Sequence, residues 1–230
     1  MSTAALIVAA GRGVRFGSET PKQFALLGDK PLLFHSIEIF QSLPELDEIW
    51  LVLPKESVTR FERRFDLSPY TKIAGFGPGG KRRQDSVLAG LMAMPERTEI
   101  VAIHDAVRPF AAPEAISKAI ARARKVGAAI LARPVVDTPK RCDARGRVIE
   151  TLDRRELWLA ETPQVFRYEL IRHGYEQVTA DRAEVTDDAA AVERLGHPVG
   201  VVASPSPNPK ITNRADIRFA EWLLSEKGRE

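Results

Sequence analysis

The stretch AALIVAAGRGVRFGSETPKQF, residues 4–24, is the part of the chain that decides its fold. It begins with an unbroken apolar run from Ala4 to Ala9, which is typical of a strand covered on both faces of a parallel sheet. The run ends in Ala-Ala-Gly and continues into a glycine-rich loop that carries Arg15 and Lys22. Ligands bind at the carboxyl ends of the strands in open α/β sheets, so this loop is predicted to border a ligand site.

The rest of the chain alternates short apolar runs with segments of helical periodicity, which predicts an α/β fold with a doubly wound, mostly parallel sheet. GFGPGG, residues 75–80, is predicted to be a loop, and Thr186 is predicted to cap the helix TDDAAAVERL. We expect one domain over residues 1–230. Further strands are predicted at 49–53, 71–74, 100–103, 128–131 and 199–203, and helices at 31–40, 55–65, 84–94, 113–126, 186–195 and 215–225.

Residues 136–157 interrupt this alternation. They are polar, with a short hairpin-like part around 148–152 and a DARG sequence that could form its turn. An excursion of this length from a compact α/β domain indicates either a protruding β-arm or a lid.

Composition narrows the class of protein. The chain has 230 residues, of which 44% are hydrophobic and 28% are charged. It carries 34 Lys and Arg against 31 Asp and Glu, which gives a net charge of +3. This net charge is too small to indicate a nucleic-acid partner. Its single cysteine, Cys142, excludes an internal disulfide and favours the reducing cytoplasm. From its hydropathy pattern we expect no membrane span and no signal peptide. We also expect no room for a second catalytic domain after the last helix.

Two familiar phosphate-binding motifs do not match the opening loop. Its glycines at Gly11, Gly13 and Gly17 are spaced one residue too far apart for a dinucleotide fingerprint, and no Gly-Lys-Ser/Thr of a Walker loop follows. What remains is a glycine loop with two cations, which suits a polyphosphate. Arg15 or Lys22 considered alone is explained more simply as an ordinary surface charge.

Several segments occur in an order that characterises one family: AAGRGVRFG, TPKQF, GGKRRQDSV, HDAVRP, DTPKR, TLDRRELW, ETPQVF and TDDAA. On these motifs, from Ala4 to Asn213, the chain resembles the 2-C-methyl-D-erythritol 4-phosphate cytidylyltransferase family of the non-mevalonate isoprenoid pathway. The AAG-x-G-x-R loop alone marks only the wider nucleotidyltransferase superfamily. The resemblance implies that CMP is transferred from CTP to 2-C-methyl-D-erythritol 4-phosphate, with pyrophosphate leaving after in-line attack on the α-phosphate.

The resemblance also implies roles for individual residues. Asp105 is expected near a Mg²⁺ ion as well as the nucleotide, although it could simply end a strand beside a structural His104. Arg108 could equally form a salt bridge within the site, and Arg83 and Arg154 could be ordinary surface charges. The implied sets are catalytic Arg15, Lys22, Arg154 and Lys210, nucleotide-binding Ala9, Ala10, Gly11, Gly80, Arg83, Ser86 and Asp105, and substrate-binding Arg108, Thr138 and Thr162.

The same resemblance implies a role for the arm. It implies a homodimer in which each arm completes the partner's active site.

The chain departs from the family pattern at three positions, Val8, Val107 and Lys81. Lys81 bears on how residues 81–84 recognise the base. Two alternatives stay open: a ribitol 5-phosphate cytidylyltransferase, and a non-catalytic nucleotide-binding dimer on the same fold.

Overall fold

The computed structural model describes residues 2–11 and 21–227. Its strands and helices, in chain order, are β1 (Ser2–Val8), β2 (Leu26–Leu27), β3 (Lys30–Pro31), α1 (Leu32–Gln41), β4 (Glu48–Leu53), α2 (Val58–Arg64), β5 (Ile73–Pro78), α3 (Arg83–Ala93), β6 (Thr98–Asp105), α4 (Pro113–Val126), β7 (Ala128–Pro134), β8 (Lys140–Cys142), β9 (Val148–Thr151), β10 (Trp158–Arg167), α5 (Tyr168–Ala180), α6 (Asp188–Glu193), β11 (Gly200–Ala203) and α7 (Arg214–Lys227).

A seven-stranded sheet with the order β11-β7-β10-β6-β1-β4-β5 forms the centre of the fold. β1 pairs in parallel with β4 on one side and β6 on the other, which explains why its sequence is apolar without alternation. Only β10 runs antiparallel to its neighbours in this sheet, β6 and β7. The predicted mostly parallel α/β fold is confirmed.

Both faces of the sheet are covered, because alternate residues of β1 enter two different apolar clusters. Ala5 and Ile7 pack on the side of α1, α2 and α4. Ala4 and Leu6 pack on the side of α3, α5 and α6. This is the two-sided burial expected of a doubly wound sheet.

The predicted loop at residues 75–80 was partly wrong, since GFGP belongs to β5. Among the described strands, β5 lies at the edge of the sheet and pairs only with β4. Pro78, which has no backbone N–H to donate, is tolerated at its end because no second strand pairs with β5 on its outer side. Gly75 is required by packing rather than by a turn: a Cβ there would lie 2.6 Å from the indole ring of Trp50.

The sequence patterns assigned no element to residues 158–180, yet β10 and α5 lie there. β10 is hard to recognise because it buries polar side chains, Glu161, Thr162 and Gln164, in the middle of the strand. The helix cap predicted at Thr186 was also wrong. Asp187 is the cap, and its carboxylate accepts a hydrogen bond from the backbone N–H of Ala190 at 3.0 Å.

Within residues 136–157, β8 and β9 form an antiparallel hairpin whose strand residues are all exposed. Val148 and Ile149 are each 60% exposed on it. An isolated two-stranded hairpin is marginally stable, so this hairpin is expected to need a partner surface.

Candidate active site

A cleft with a volume of about 990 Å³ opens at the carboxyl ends of β1, β4, β5 and β6, where the sequence predicts a ligand site. This is a common size for a small-molecule site. Its walls bring together nine of the predicted site residues: Ala9, Ala10, Gly11, Lys22, Gly80, Arg83, Ser86, Asp105 and Lys210. Arg15 lies outside the described residues.

The loop after β5 forms one wall of the cleft, and glycine is required there for close packing. A Cβ on Gly79 would lie 2.3 Å from the Cβ of Ala10. The next residue, Gly80, donates its backbone N–H to Ser86 Oγ at 2.9 Å, and Ser86 Oγ donates to the carbonyl of Arg82 at 3.1 Å. Ser86 therefore holds the shape of this wall.

Lys22 begins a short 3-10 turn that also lines the cleft. The neighbouring Gln23 is buried and donates its side-chain amide to the carbonyl of Ala9 at 2.6 Å. This hydrogen bond fixes the turn to the end of β1, so the backbone that carries Lys22 is preorganised beside the glycine loop.

Asp105 ends β6 at the floor of the cleft between two cations. Its Oδ1 accepts from Arg83 Nε at 2.9 Å, and its Oδ2 lies 2.7 Å from Lys210 Nζ. Burial opposes ionisation of this carboxyl, but the charges of Arg83 and Lys210 outweigh it and hold the pKa of Asp105 far below its ordinary value. Asp105 is therefore a carboxylate at any physiological pH.

Arg83 is fixed from behind by a second carboxylate. Its Nη1 and Nη2 donate to the two oxygens of Asp188 at 2.8 Å each, and Tyr175 Oη donates to Asp188 Oδ1. Asp188 is fully buried. Burial works against the charge of Arg83, yet Asp188 and Asp105 raise the pKa of Arg83 well above its ordinary value. The charges thus alternate along Asp188, Arg83, Asp105 and Lys210.

His104 is fully buried beside Asp105, and each of its ring nitrogens has a polar partner. Burial lowers its pKa to about 4, so the ring is neutral at pH 7. With the proton on Nε2 the ring donates to the carbonyl of Arg108 at 3.0 Å, while its Nδ1 lies 3.2 Å from Thr162 Oγ1. Thr162 Oγ1 in turn accepts from the backbone N–H of Asp105 at 3.0 Å.

Arg108 lies next to this group, and its contacts differ from the salt bridge that was the alternative reading. Its Nη1 donates to the backbone carbonyl of Asn208 at 2.7 Å. Burial lowers the pKa of Arg108 from its ordinary value. Its Nε is buried and has no hydrogen-bond partner within the described part of the chain. Neither Arg108 nor Thr162 lines the cleft itself; both lie behind Asp105.

Thr138 and Arg154 are not brought to this cleft. Both lie in the exposed segment between β7 and β10, and Arg154 Nη1 donates to the carbonyl of Val136 at 2.6 Å. Neither of them lines the cleft of its own chain.

Sequence reasoning missed several residues that shape the site. The TDDAA motif pointed to helix capping, but no signal in the sequence shows that Asp188 reaches Arg83, 105 residues away. Gln23 lies within the quoted TPKQF motif without a role of its own. Glu161 and Asn208 are polar residues that lie buried beside Arg108. Only the tertiary structure explains why polar side chains occur at these two positions.

The side chains that could act as metal ligands limit the kind of metal site that the cleft could form. Within the described residues, no three His, Cys, Asp or Glu side chains approach one another closely enough to hold a metal ion. A magnesium ion at Asp105 would therefore need phosphate oxygens among its ligands, which is the usual way this ion is held at nucleotide sites. Asp105, which lines the cleft together with a second carboxylate residue, Glu56, fits that arrangement.

A doubly wound sheet with a basic cleft at its carboxyl edge has the architecture of a nucleotidyltransferase-type α/β protein. The family model described as IspD, 2-C-methyl-D-erythritol 4-phosphate cytidylyltransferase, matches residues 3–226. The chain belongs to this enzyme family.

Relatives and solved structures agree with that assignment. The 2-C-methyl-D-erythritol 4-phosphate cytidylyltransferase of Syntrophus aciditrophicus is 44% identical over 98% of this chain and 97% of its own length. That of Desulforamulus reducens is 42% identical over 97% of this chain and 96% of its own length. The structure of 4-diphosphocytidyl-2C-methyl-D-erythritol synthase from Anaerococcus prevotii is 32% identical with a TM-score of 0.83, covering 97% of this chain and 96% of the other.

Proposed function

We infer that this chain is an enzyme that transfers CMP from CTP to 2-C-methyl-D-erythritol 4-phosphate, giving 4-diphosphocytidyl-2-C-methyl-D-erythritol and pyrophosphate in isoprenoid biosynthesis. Family membership supports the reaction. The observation in the structure that carries it is a cleft of about 990 Å³ lined by Lys22, Arg83 and Lys210, in which Arg83 and Lys210 flank the carboxylate of Asp105.

The reaction requires two anions to meet. A phosphate oxygen of the acceptor forms a bond to the α-phosphorus of CTP while the bond from that phosphorus to the bridging oxygen breaks, and pyrophosphate leaves with the electron pair. Little covalent chemistry falls to the protein, so positioning and charge neutralisation dominate. Lys22, with Arg15, is proposed to neutralise the triphosphate, and Lys210 to hold the acceptor phosphate for attack.

The nucleotide is proposed to occupy the cleft, and the acceptor to bind beside it. The space for cytosine and ribose is proposed to be bordered by lining residues near the close contact between the Gly79 backbone and Ala10: Ala9, Ala10, Gly11, Gly80 and Ser86. Arg108 and Thr162, together with Thr138 from the arm, are proposed to contact the acceptor.

Mg²⁺ is the proposed cofactor, with Asp105 as its protein ligand. When bound with the nucleotide, this ion would neutralise phosphate charge. Arg83 and Lys210 already flank Asp105, so the carboxylate would be shared between them and the ion.

We also propose a cytoplasmic homodimer with exchanged arms. The single cysteine, Cys142, is exposed, which suits a reducing compartment. Among the described helices, none combines the length and apolarity needed to span a membrane. The exposed hairpin with Val148 and Ile149, and the position of Arg154 outside its own cleft, support an arm that acts at a partner's site.

The reaction is tested by measuring pyrophosphate release with CTP and Mg²⁺ and with either methylerythritol phosphate or ribitol 5-phosphate as acceptor. Release with the first acceptor alone supports the proposed reaction. Release with ribitol 5-phosphate alone would overturn the acceptor and keep the chemistry. With neither acceptor, CTP binding would be measured, and binding without turnover would favour the non-catalytic alternative.

Exchange of the arms predicts complementation between two inactive variants. Lys22→Ala removes a cleft residue, and Arg154→Ala removes an arm residue. If each site takes its cleft from one subunit and its arm residue from the other, mixed dimers contain one site with both residues intact. After subunit exchange, turnover should therefore recover to about a quarter of the parent's, since half of the dimers are mixed and each restores one of two sites. Persistent inactivity after exchange verified by mass spectrometry would contradict a shared site.

A further inference from the structure

We propose that Glu161 is a positioning residue for the acceptor side of the site, acting through the loop that carries Lys210. Glu161 lies in β10 and is only 3% exposed. The inference rests on the proposed activity, in which Lys210 and Arg108 hold the acceptor.

The loop in question, residues 204–210, has the sequence SPSPNPK and is called here the proline-rich loop. Its three prolines have no backbone N–H and cannot anchor it by backbone donation. A loop of this kind must be fixed by side chains or by the residues at its ends. The backbone N–H groups of Ser204 and of Ile211, just beyond the loop, donate to the carbonyls of Ala132 and Val107, each at 2.9 Å.

One carboxylate oxygen of Glu161 binds two positions in this loop. Its Oε2 accepts from Ser204 Oγ at 2.7 Å and from Asn208 Nδ2 at 3.3 Å. Asn208 Nδ2 also donates to the carbonyl of Thr162 at 2.9 Å. Glu161 thereby connects the start of the proline-rich loop with a residue two positions before Lys210.

The same contacts reach Arg108. The backbone carbonyl of Asn208, whose side chain Glu161 holds, accepts from Arg108 Nη1 at 2.7 Å. Lys210 follows Asn208 at a distance of two residues and reaches Asp105. The positions of Arg108 and Lys210, the two cations proposed to hold the acceptor substrate, therefore depend on Asn208. Glu161 contributes to fixing Asn208.

The second carboxylate oxygen of Glu161, Oε1, lies near a positively charged side chain on the solvent side of the strand. Arg133 Nε lies 3.4 Å from Glu161 Oε1, and the Arg133 side chain is 58% exposed. This pair compensates the buried charge without contacting the proline-rich loop. The positioning role is thus assigned to Oε2, and an uncharged acceptor in its place should serve the loop almost as well.

The test compares Glu161→Ala with Glu161→Gln in steady-state assays. Alanine removes both hydrogen bonds, so kcat/KM for methylerythritol phosphate should fall roughly 10- to 100-fold, as for a displacement of reacting groups by about 1 Å, while the Kd for CTP stays unchanged. Glutamine can place its amide oxygen at the Oε2 position and should restore most of the loss. Glu169→Ala, an exposed change on α5, is the control.

Ser204→Ala provides a second test that leaves the buried carboxylate in place. It should give a smaller loss in the same parameter. A folded Glu161→Ala enzyme with parental kcat/KM, or one whose CTP affinity falls in the same proportion, would overturn the proposal. If Glu161→Ala does not fold, parental acceptor kinetics in Ser204→Ala would overturn it.

Hydrogen exchange separates this inference from the proposed function. The amides of Ser204 and Ile211, which donate to the carbonyls of Ala132 and Val107 at the two ends of the loop, should exchange faster in Glu161→Ala than in the parent. If that variant does not fold, the amide of Ile211 should exchange faster in Ser204→Ala than in the parent. Unchanged exchange would refute the role of Glu161 even if the parent enzyme were inactive. Absence of turnover in the parent with faster exchange in the variant would instead count against the proposed function alone.

Discussion

Replacing Lys22 with alanine is expected to lower kcat roughly 100- to 1,000-fold, the usual loss when one preorganised donor to transition-state charge is removed. The turn that carries it is anchored through the buried Gln23, which donates to the carbonyl of Ala9 at 2.6 Å. The backbone should therefore keep its place in the variant, so that the loss reflects the missing ammonium group. The measurement is pyrophosphate release at saturating CTP and acceptor.

Two comparisons make the result specific. Lys118→Ala removes an exposed lysine of α4 and should leave turnover at the parental value. Thermal unfolding of the Lys22 variant should match that of the parent. Near-parental turnover of Lys22→Ala would show that the nucleotide's charge is neutralised by other residues.

Asp188→Asn is expected to destabilise the fold by about 3–5 kcal/mol, the usual cost of removing one partner of a buried ion pair. Asp188 is fully buried and receives two hydrogen bonds from Arg83 and one from Tyr175. The isosteric amide keeps the volume but has only one accepting oxygen and adds an NH₂ group against a cation. Chemical denaturation of the parent and the variant measures the difference.

Asp181→Asn is the matched control, because Asp181 also pairs with an arginine at 2.8 Å but at the surface. Solvent screens this pair, so little change in the free energy of unfolding is expected. Equal effects of the two substitutions would mean that burial of Asp188 does not decide its contribution. Tyr175→Phe should lie between them, since it removes one neutral donor from the same carboxylate.

The sequence predicted the framework of this protein well where one physical cause dominates. The apolar run at the start of the chain must be buried on both faces, and this alone indicates a parallel sheet with a ligand site at its carboxyl edge. It failed where polar residues are buried. β10 escaped recognition because Glu161, Thr162 and Gln164 interrupt the apolar pattern of a central strand.

What the sequence by itself determined is the class of fold, the edge of the sheet where the cleft lies and the residue types proposed to meet an anionic substrate. The tertiary structure decided which of those residues meet. Arg83 and Asp188 are 105 residues apart, and Glu161 and Asn208 are 47 apart. Hydrogen bonds between such distant residues leave no periodic trace in the chain, because strand pairing and helix packing, rather than local spacing, bring the partners together.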